Sequence, residues 1–269
     1  MTRLTVVKCG GALDPDRICA DVARLRKQGE RVVLVHGGAP EIARLASQLG
    51  VAAKTLVSPS GVTSRHTDLD TLDVITLAMT GRAKPRLLRA LAGHGVRAVG
   101  LTGLDGGLLL ARRKTAQRSI AGGRMMLVRD DYSGRVVAVA ADVLHLLLDG
   151  GLTPVVSPPA TGEEDGLPLN VDADRAAAAI AAAVGAVRLL LLTAAPGVLT
   201  DPADEASVLA RCGLPPSGPA PYAGTGGMHR KIIAAREALA SGVPEVIIGD
   251  GRTPHPLTRV SGTVMEVRA

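Results

Sequence analysis

Leu4-Thr5-Val6-Val7-Lys8-Cys9-Gly10-Gly11 and Arg31-Val32-Val33-Leu34-Val35-His36-Gly37-Gly38 are two versions of one phrase. Each is a short apolar run that stops at a polar residue and then at a glycine pair. A run bounded in this way reads as a buried strand with a tight turn behind it. Helical spacing follows both turns. After the first, Asp14-Pro15 opens a helix with proline in its first turn, and Ile18, Val22 and Leu25 supply the apolar stripe. After the second, a helix is expected over about 40–49. Strand, glycine turn, helix, and the same again, is the grammar of a parallel α/β sheet. Ligands of such sheets gather at the carboxyl ends of the strands, where both glycine pairs fall.

The alternation continues along the chain. Helices are expected from Asp68 to about 80, over 85–93, near 141–149 and over 228–241. Strands are expected over 96–100, 136–139, 154–157, 187–192 and 245–249 and near 263–267. Residues 58–68 read as a long polar loop, Asp131-Tyr132-Ser133-Gly134 as a turn, and 163–166 as a hairpin tip. The proline-rich 201–221 reads as irregular and is the one candidate hinge. Residues 112–129 hold six basic residues and no acidic one, with Gly122-Gly123 in the middle. That composition reads as a hairpin standing off the main body, although a charge run is often only a solvated face.

A chain of 269 residues suits one large domain or two tightly joined lobes. It contains no Phe or Trp and two Tyr, so the core must come from Ala, Leu, Val and Ile. Aromatic platforms for stacking single-stranded nucleic acid are therefore missing. The net charge of +6 permits duplex binding on charge alone, but no helix-turn-helix or zinc pattern accompanies it. An acidic protein partner is the other reading of the charge. Cys9, Cys19 and Cys212 have no metal-type spacing and read as reduced thiols of a cytoplasmic protein. Met1-Thr2-Arg3-Leu4 has no signal-peptide layout, and no apolar run approaches the roughly 20 residues that span a bilayer.

Asn170-Val171-Asp172-Ala173-Asp174-Arg175 carries polar residues at alternate positions ahead of the alanine-rich 176–184. Alanine favours helix. The polar group therefore sits on a turn entering a buried helix, with Asp172 or Asp174 near its N-terminus. Capping alone would account for one aspartate there. The company suggests more. Lys8 adjoins Gly10-Gly11, and Gly226-Gly227-Met228-His229-Arg230-Lys231 repeats the pairing of glycines with a lysine. Two such turns with an aspartate between them look like a phosphate site with its organiser, because glycine lets backbone N–H groups approach an anion. Neither a Walker-type loop nor Gly-x-Gly-x-x-Gly is present, nor a Gly-x-Ser-x-Gly elbow. Phosphoryl transfer needs charge neutralisation more than covalent help. A carboxylate acceptor, with a pKa of roughly 4.3, is ionised at neutral pH and needs no general base. His36 reads as a satisfied structural histidine and Cys9 as a small core residue.

In this order, Lys8-Cys9-Gly10-Gly11, His36-Gly37-Gly38, Asn170-Val171-Asp172-Ala173-Asp174 and Gly227-Met228-His229-Arg230-Lys231 resemble the motifs of the amino acid kinase family, over essentially the whole chain. Acetylglutamate kinase is the large branch that they look like. The resemblance implies an α/β fold, a three-layer αβα sandwich with a mainly parallel central sheet. It implies an N-terminal lobe over 1–185 for the amino-acid substrate and dimerisation, and a C-terminal lobe over 186–269 for ATP, on one continuous sheet. It makes Lys8 and Lys231 the transition-state cations and Asp174 their organiser. Gly37, Gly38, Arg65 and Asn170 would hold the substrate. Gly10, Gly11, Thr193, Gly197, Val198, Asp201, Gly226, Gly227 and Met228 would serve ATP, with Mg²⁺ carried by the nucleotide and no protein metal site.

The pattern departs from acetylglutamate kinase in three places: Ser64-Arg65-His66-Thr67-Asp68, Asp172 where Asn is usual, and Arg129-Asp130-Asp131-Tyr132-Ser133-Gly134. These look instead like the LysW-aminoadipate or LysW-glutamate kinase type. There the substrate's amino group is capped by the C-terminal glutamate of a small acidic carrier protein. Arg112, Arg113, Lys114, Arg118 and Arg124 are then expected to bind the carrier. Free N-acetyl-L-glutamate is the alternative acceptor, and a non-catalytic nucleotide-binding regulator is the alternative of another class. A homodimer without arginine inhibition is expected by resemblance.

Overall fold

The computed structural model describes residues 3–59, 61, 63–121, 124–218, 222 and 226–267. The chain opens with β1 (Leu4–Cys9), α1 (Pro15–Lys27), β2 (Arg31–His36) and α2 (Ala39–Leu49). A hairpin of β3 (Thr55–Val57) and β4 (Thr63–Arg65) follows, then α3 (Leu69–Ala78), a π-turn over Met79–Ala83 and α4 (Lys84–Gly93). Next come β5 (Ala98–Gly103), β6 (Leu109–Arg113), β7 (Gln117–Ala121), β8 (Arg124–Val128), β9 (Ser133–Val139) and α5 (Ala141–Asp149). The remainder is β10 (Thr153–Gly162), β11 (Pro168–Val171), α6 (Ala173–Ala183), β12 (Arg188–Thr193), β13 (Arg211–Leu214), α7 (Gly227–Ala240), β14 (Glu245–Asp250) and β15 (Gly262–Val267).

One sheet of eleven strands runs β11-β9-β6-β10-β2-β1-β12-β14-β15-β13, with β5 also paired to β10. From β5 through β10, β2, β1 and β12 to β14 every neighbour is parallel. Side chains alternate across this sheet. On β1, Leu4 and Val6 face one core with α5, α6 and α7, where Leu144, Ile180 and Ile232 are fully buried. Val7 and Cys9 face a second core with α1 and α4, built on Ile18, Val22, Leu87 and Leu91. The expected αβα sandwich with a mainly parallel sheet is present. Without Phe or Trp, small residues let the layers approach closely. Ala177, Ala178 and Ala181 of α6 and Ala234, Ala235 and Ala238 of α7 are all buried.

Local signals place the helix starts. Asp14, Asp68 and Asp172 are N-caps whose carboxylates accept the backbone N–H groups of Asp16, Thr71, and both Asp174 and Arg175. Elsewhere tertiary pairing overrides local reading. The polar 58–68 loop contains β4, which pairs antiparallel with β3; its positions 60 and 62 lie outside the described residues. Ser133 and Gly134 belong to a strand, not a turn, because they pair with Asn170 and Val171 of β11. The supposed hinge 201–221 contains β13, which lies along β15, and Leu209 N donates to Val198 O at 2.9 Å. Positions 219–221 fall outside the described residues, as do Gly122 and Gly123 of the expected basic hairpin. The hairpin itself is present as β7 paired with β8, a two-stranded sheet separate from the main one.

Candidate active site

Period-two alternation puts Lys8 on the face of Leu4 and Val6, toward α6 and α7. The Asp172 cap starts α6 so that Asp174 falls in its first turn. Lys231 sits in the second turn of α7, on its buried side. The ammonium groups of Lys8 and Lys231 lie 2.9 and 2.7 Å from the same oxygen, Asp174 Oδ1, and all three side chains are under 10% exposed. Burial works against the Asp174 carboxylate, but the two ammonium groups outweigh it and hold its pKa below the ordinary value. One carboxylate cannot offset two ammonium groups equally. Burial is the largest single effect on Lys8 and works to lower it, but Asp174, joined by Lys231 and Asp172, outweighs burial and keeps Lys8 above its usual value. Burial and then the Lys8 charge bring Lys231 down to about 8. The cluster thus carries a net positive charge in a dry setting, prepared for an anion.

The two glycine turns meet beside this cluster. Gly37 N donates to Cys9 O at 3.1 Å. A Cβ at Gly11 would lie 3.0 Å from Gly38 Cα, and one at Gly38 would collide with Met79 Sδ from the π-turn. Side chains are excluded, which leaves backbone N–H groups and the N-terminus of α2 facing the space. His36 lies on the opposite face of the sheet from Lys8. Burial pushes it down to about 4, so it is neutral. Its Nδ1 is 3.1 Å from Gly37 O, but among the described residues its buried Nε2 has no partner. The satisfied histidine of the sequence reading is thus satisfied at one nitrogen only. Burial pushes the Cys9 thiol up to about 11, in keeping with a core role.

A cavity of about 530 Å³ opens next to the turns and is lined by Gly37, Gly38, Arg65 and Asn170, the four residues expected to hold substrate. Gly10 and Gly11 instead line a smaller cavity toward α1 and Glu41. Asn170 Nδ2 donates to Thr67 Oγ1 at 3.2 Å. Asp131, almost fully buried, accepts Thr67 N at 2.8 Å and the Gln117 amide, and so ties the Arg65 loop to β7 and β9. Among the other lining residues are three charged ones that the sequence did not single out for it: Lys54, Asp172 and Arg230. Only pairing across the fold brings them there.

On the other side, Thr193 ends β12 and pairs with Asp250 of β14. Gly197 has φ 154° and no room for a Cβ beside Thr263 Oγ1, and Val198 N donates to that oxygen at 2.9 Å. Asp201 Oδ1 accepts Ala203 N. Gly226 caps α7, and Gly227 and Met228 form its first turn. Arg252, missed by the sequence reading, bridges Glu205 and Asp250 and fastens the 201–207 segment to the end of β14.

The amino acid kinase family model matches residues 3–250. The chain belongs to the amino acid kinase family. It is 40% identical to the [LysW]-aminoadipate kinase of Deinococcus radiodurans, over 98% of this chain and 92% of that one. It is 38% identical to the acetylglutamate kinase of Geobacillus thermodenitrificans, over 94% of this chain and 92% of that one. Its fold is similar to Giardia carbamate kinase, with a TM-score of 0.68 at 16% identity over 99% of both chains.

On this amino acid kinase scaffold the basic run divides. Arg112 pairs with Glu163 through Nε at 2.7 Å and Nη2 at 3.1 Å. Arg113 donates to Asp131 O and Arg129 O and stacks 3.8 Å above the Tyr132 ring. Both are engaged in structure, by partners that the spacing of the run could not reveal. Lys114, Arg118 and Arg124 are exposed, with no ion-pair partner among the described residues. The hairpin rests on the cavity wall, since Ser119 Oγ accepts Val57 N at 3.1 Å and the adjoining Thr55 lines the cavity. No described helix is long and apolar enough to cross a membrane.

Proposed function

We propose that the protein is an ATP-dependent kinase acting on the side-chain carboxylate of an amino acid joined through its amino group to an acidic carrier protein of the LysW type. The single observation that carries the phosphoryl-transfer reading is the pair of buried lysines sharing Asp174 Oδ1 beside two glycine turns. An acceptor carboxylate oxygen forms a bond to the γ-phosphorus of ATP as the bond to the β-phosphate oxygen breaks, giving an acyl phosphate and ADP. No proton moves, because the acceptor is already ionised. Lys8 and Lys231 neutralise charge on the two sides of the moving phosphoryl, and Asp174 holds both in place. Gly11 and Gly38 offer N–H groups to it. Arg65 and Asn170 hold the amino acid, while Thr193, Gly197, Val198, Asp201 and Gly226–Met228 serve the nucleotide. Among the described residues no group of three or more His, Cys, Asp or Glu could hold a metal ion; the Mg²⁺ of this reading arrives on the ATP phosphates and shields their charge.

The carrier reading draws on the relatives named for [LysW]-linked substrates and on the exposed cations Lys114, Arg118 and Arg124 beside the cavity. Identity to acetylglutamate kinases favours a second reading, with free N-acetyl-L-glutamate as acceptor. We assign the amino acid to residues 1–185 and ATP to 186–269, in a cytoplasmic homodimer. The test is trapping of acyl phosphate as hydroxamate, with ATP and either a carrier-linked or an acetylated acceptor. Hydroxamate from the carrier-linked acceptor at far lower concentration supports the first reading. Preference for N-acetyl-L-glutamate supports the second. ATP binding without hydroxamate from any acceptor points to a regulatory nucleotide-binding protein.

A further inference from the structure

The acceptor cavity contains a guanidinium that the phosphoryl-transfer step does not use. Arg230 directly precedes Lys231 on α7, so its side chain leaves the helix about 100° away. Lys231 enters the buried cluster, while Arg230, 44% exposed, lines the mouth of the cavity. Its Nε lies 3.2 Å from Asp172 Oδ2. Asp172 Oδ1 is occupied by the N–H groups of Asp174 and Arg175 at 2.9 and 3.1 Å. The Arg230 guanidinium is therefore ion-paired with the cap residue of α6. No hydrogen bond of the Arg230 side chain to another described residue accompanies this ion pair, and the residue lines the cavity.

We infer that Arg230 is a specificity-determining residue that binds a carboxylate on the cap of the acceptor's amino group. This rests on the proposed carrier-linked substrate and adds to it. An acetyl cap has no charge. A C-terminal glutamate joined through one of its carboxyl groups keeps the other, so a carrier-type cap delivers one carboxylate more. With Arg65 and Asn170 assigned to the amino acid itself, that extra anion needs its own donor. A planar guanidinium ion-paired on its Nε side can present its terminal N–H groups in the fork that matches a carboxylate. Asp172 orients the fork.

Two small acceptors isolate this contact without the carrier: N-glutaryl-L-glutamate, whose cap ends in a carboxylate, and the same molecule with that carboxylate as a carboxamide. Their dissociation constants are measured by calorimetry on the intact enzyme with ADP present. The wild type should bind the acid about tenfold more tightly than the amide, the order of one charge-assisted hydrogen bond. In Arg230→Gln the ratio should fall to about one, and in Arg230→Lys it should be intermediate. A merely structural role for Arg230 would weaken both ligands together and leave the ratio standing. Equal affinity of the wild type for acid and amide, no binding of either, or a ratio preserved in Arg230→Gln would overturn the inference. Hydroxamate formed from the carrier-linked acceptor alongside equal probe affinities would remove this inference alone. Hydroxamate absent with every acceptor would remove the proposed function.

Discussion

Lys8 and Lys231 converge on a single oxygen, Asp174 Oδ1, at 2.9 and 2.7 Å, although they come from the first strand and the last described helix. Either ammonium alone would be balanced by the carboxylate. Two leave positive charge over, and the glycine turns stand next to it. Lys8→Ala and Lys231→Ala should each lower kcat by about 10²–10³-fold, the usual loss for one preorganised charge donor, with the circular dichroism of the fold retained. Near-wild-type turnover in both, measured at saturating ATP, would refute the assignment.

Asp174→Ala removes the counter-charge instead and strands two ammonium groups under the α6–α7 layer. Breaking a buried pair from one side costs about 3–5 kcal/mol. A clear drop in the thermal midpoint is expected, larger than that of Lys8→Ala. Equal midpoints for the wild type and Asp174→Ala would mean that the lysines reach water.

Lys231 is brought down to about 8 by burial and by Lys8. In the proposed mechanism its charged form stabilises the transition state, and that form is lost as pH rises. The profile of kcat/KM, which reports the free enzyme, should be level below neutrality and fall above about pH 8. Bound phosphates favour the ammonium, so the same limb in kcat should move to higher pH. Lys231→Arg should abolish the limb along with most of the activity.

A Cβ at Gly38 would clash with Met79 Sδ, so a larger residue there requires the buried Met79 side chain or the turn to shift. Gly38→Ala should force the turn away from the phosphoryl path and reduce kcat/KM by at least tenfold, since small displacements of positioned groups are costly. Met79→Ala combined with it should recover part of the loss. A double mutant no better than Gly38→Ala, in a complete mutant cycle, would show that the contact is not the cause.

For the carrier, the geometry shifts attention from Arg112 and Arg113 to the hairpin cations with no described partner. Arg118→Glu with Arg124→Glu should raise KM for a carrier-linked acceptor several-fold at low salt and much less at high salt, because exposed charges act mainly by steering. An unchanged KM at both ionic strengths would reduce the run to a solvated face.

Much of this molecule was readable one segment at a time. Apolar runs ending in glycine pairs specified β1 and β2, because buried strands and tight turns leave a local signature. Aspartates ahead of helical spacing marked the starts of α1, α3 and α6. The order of Lys8, Asp174 and Lys231 suggested a phosphate site before any geometry was known. What the chain alone could not decide was which residues face one another. Whether Lys8 and His36 share a face depends on how β1 and β2 are registered. That Glu163 answers Arg112, that Ser133 lies beside Asn170, and that β13 is a strand at all follow from pairings between distant segments. The Asp172–Arg230 contact at the cavity mouth exists only because alanine-faced α6 and α7 pack closely enough to align their first turns. Local sequence determines the period and the punctuation of an element, whereas register and helix packing are collective properties of the whole core. For this protein they decide which side chains line the cavity beside the lysine pair.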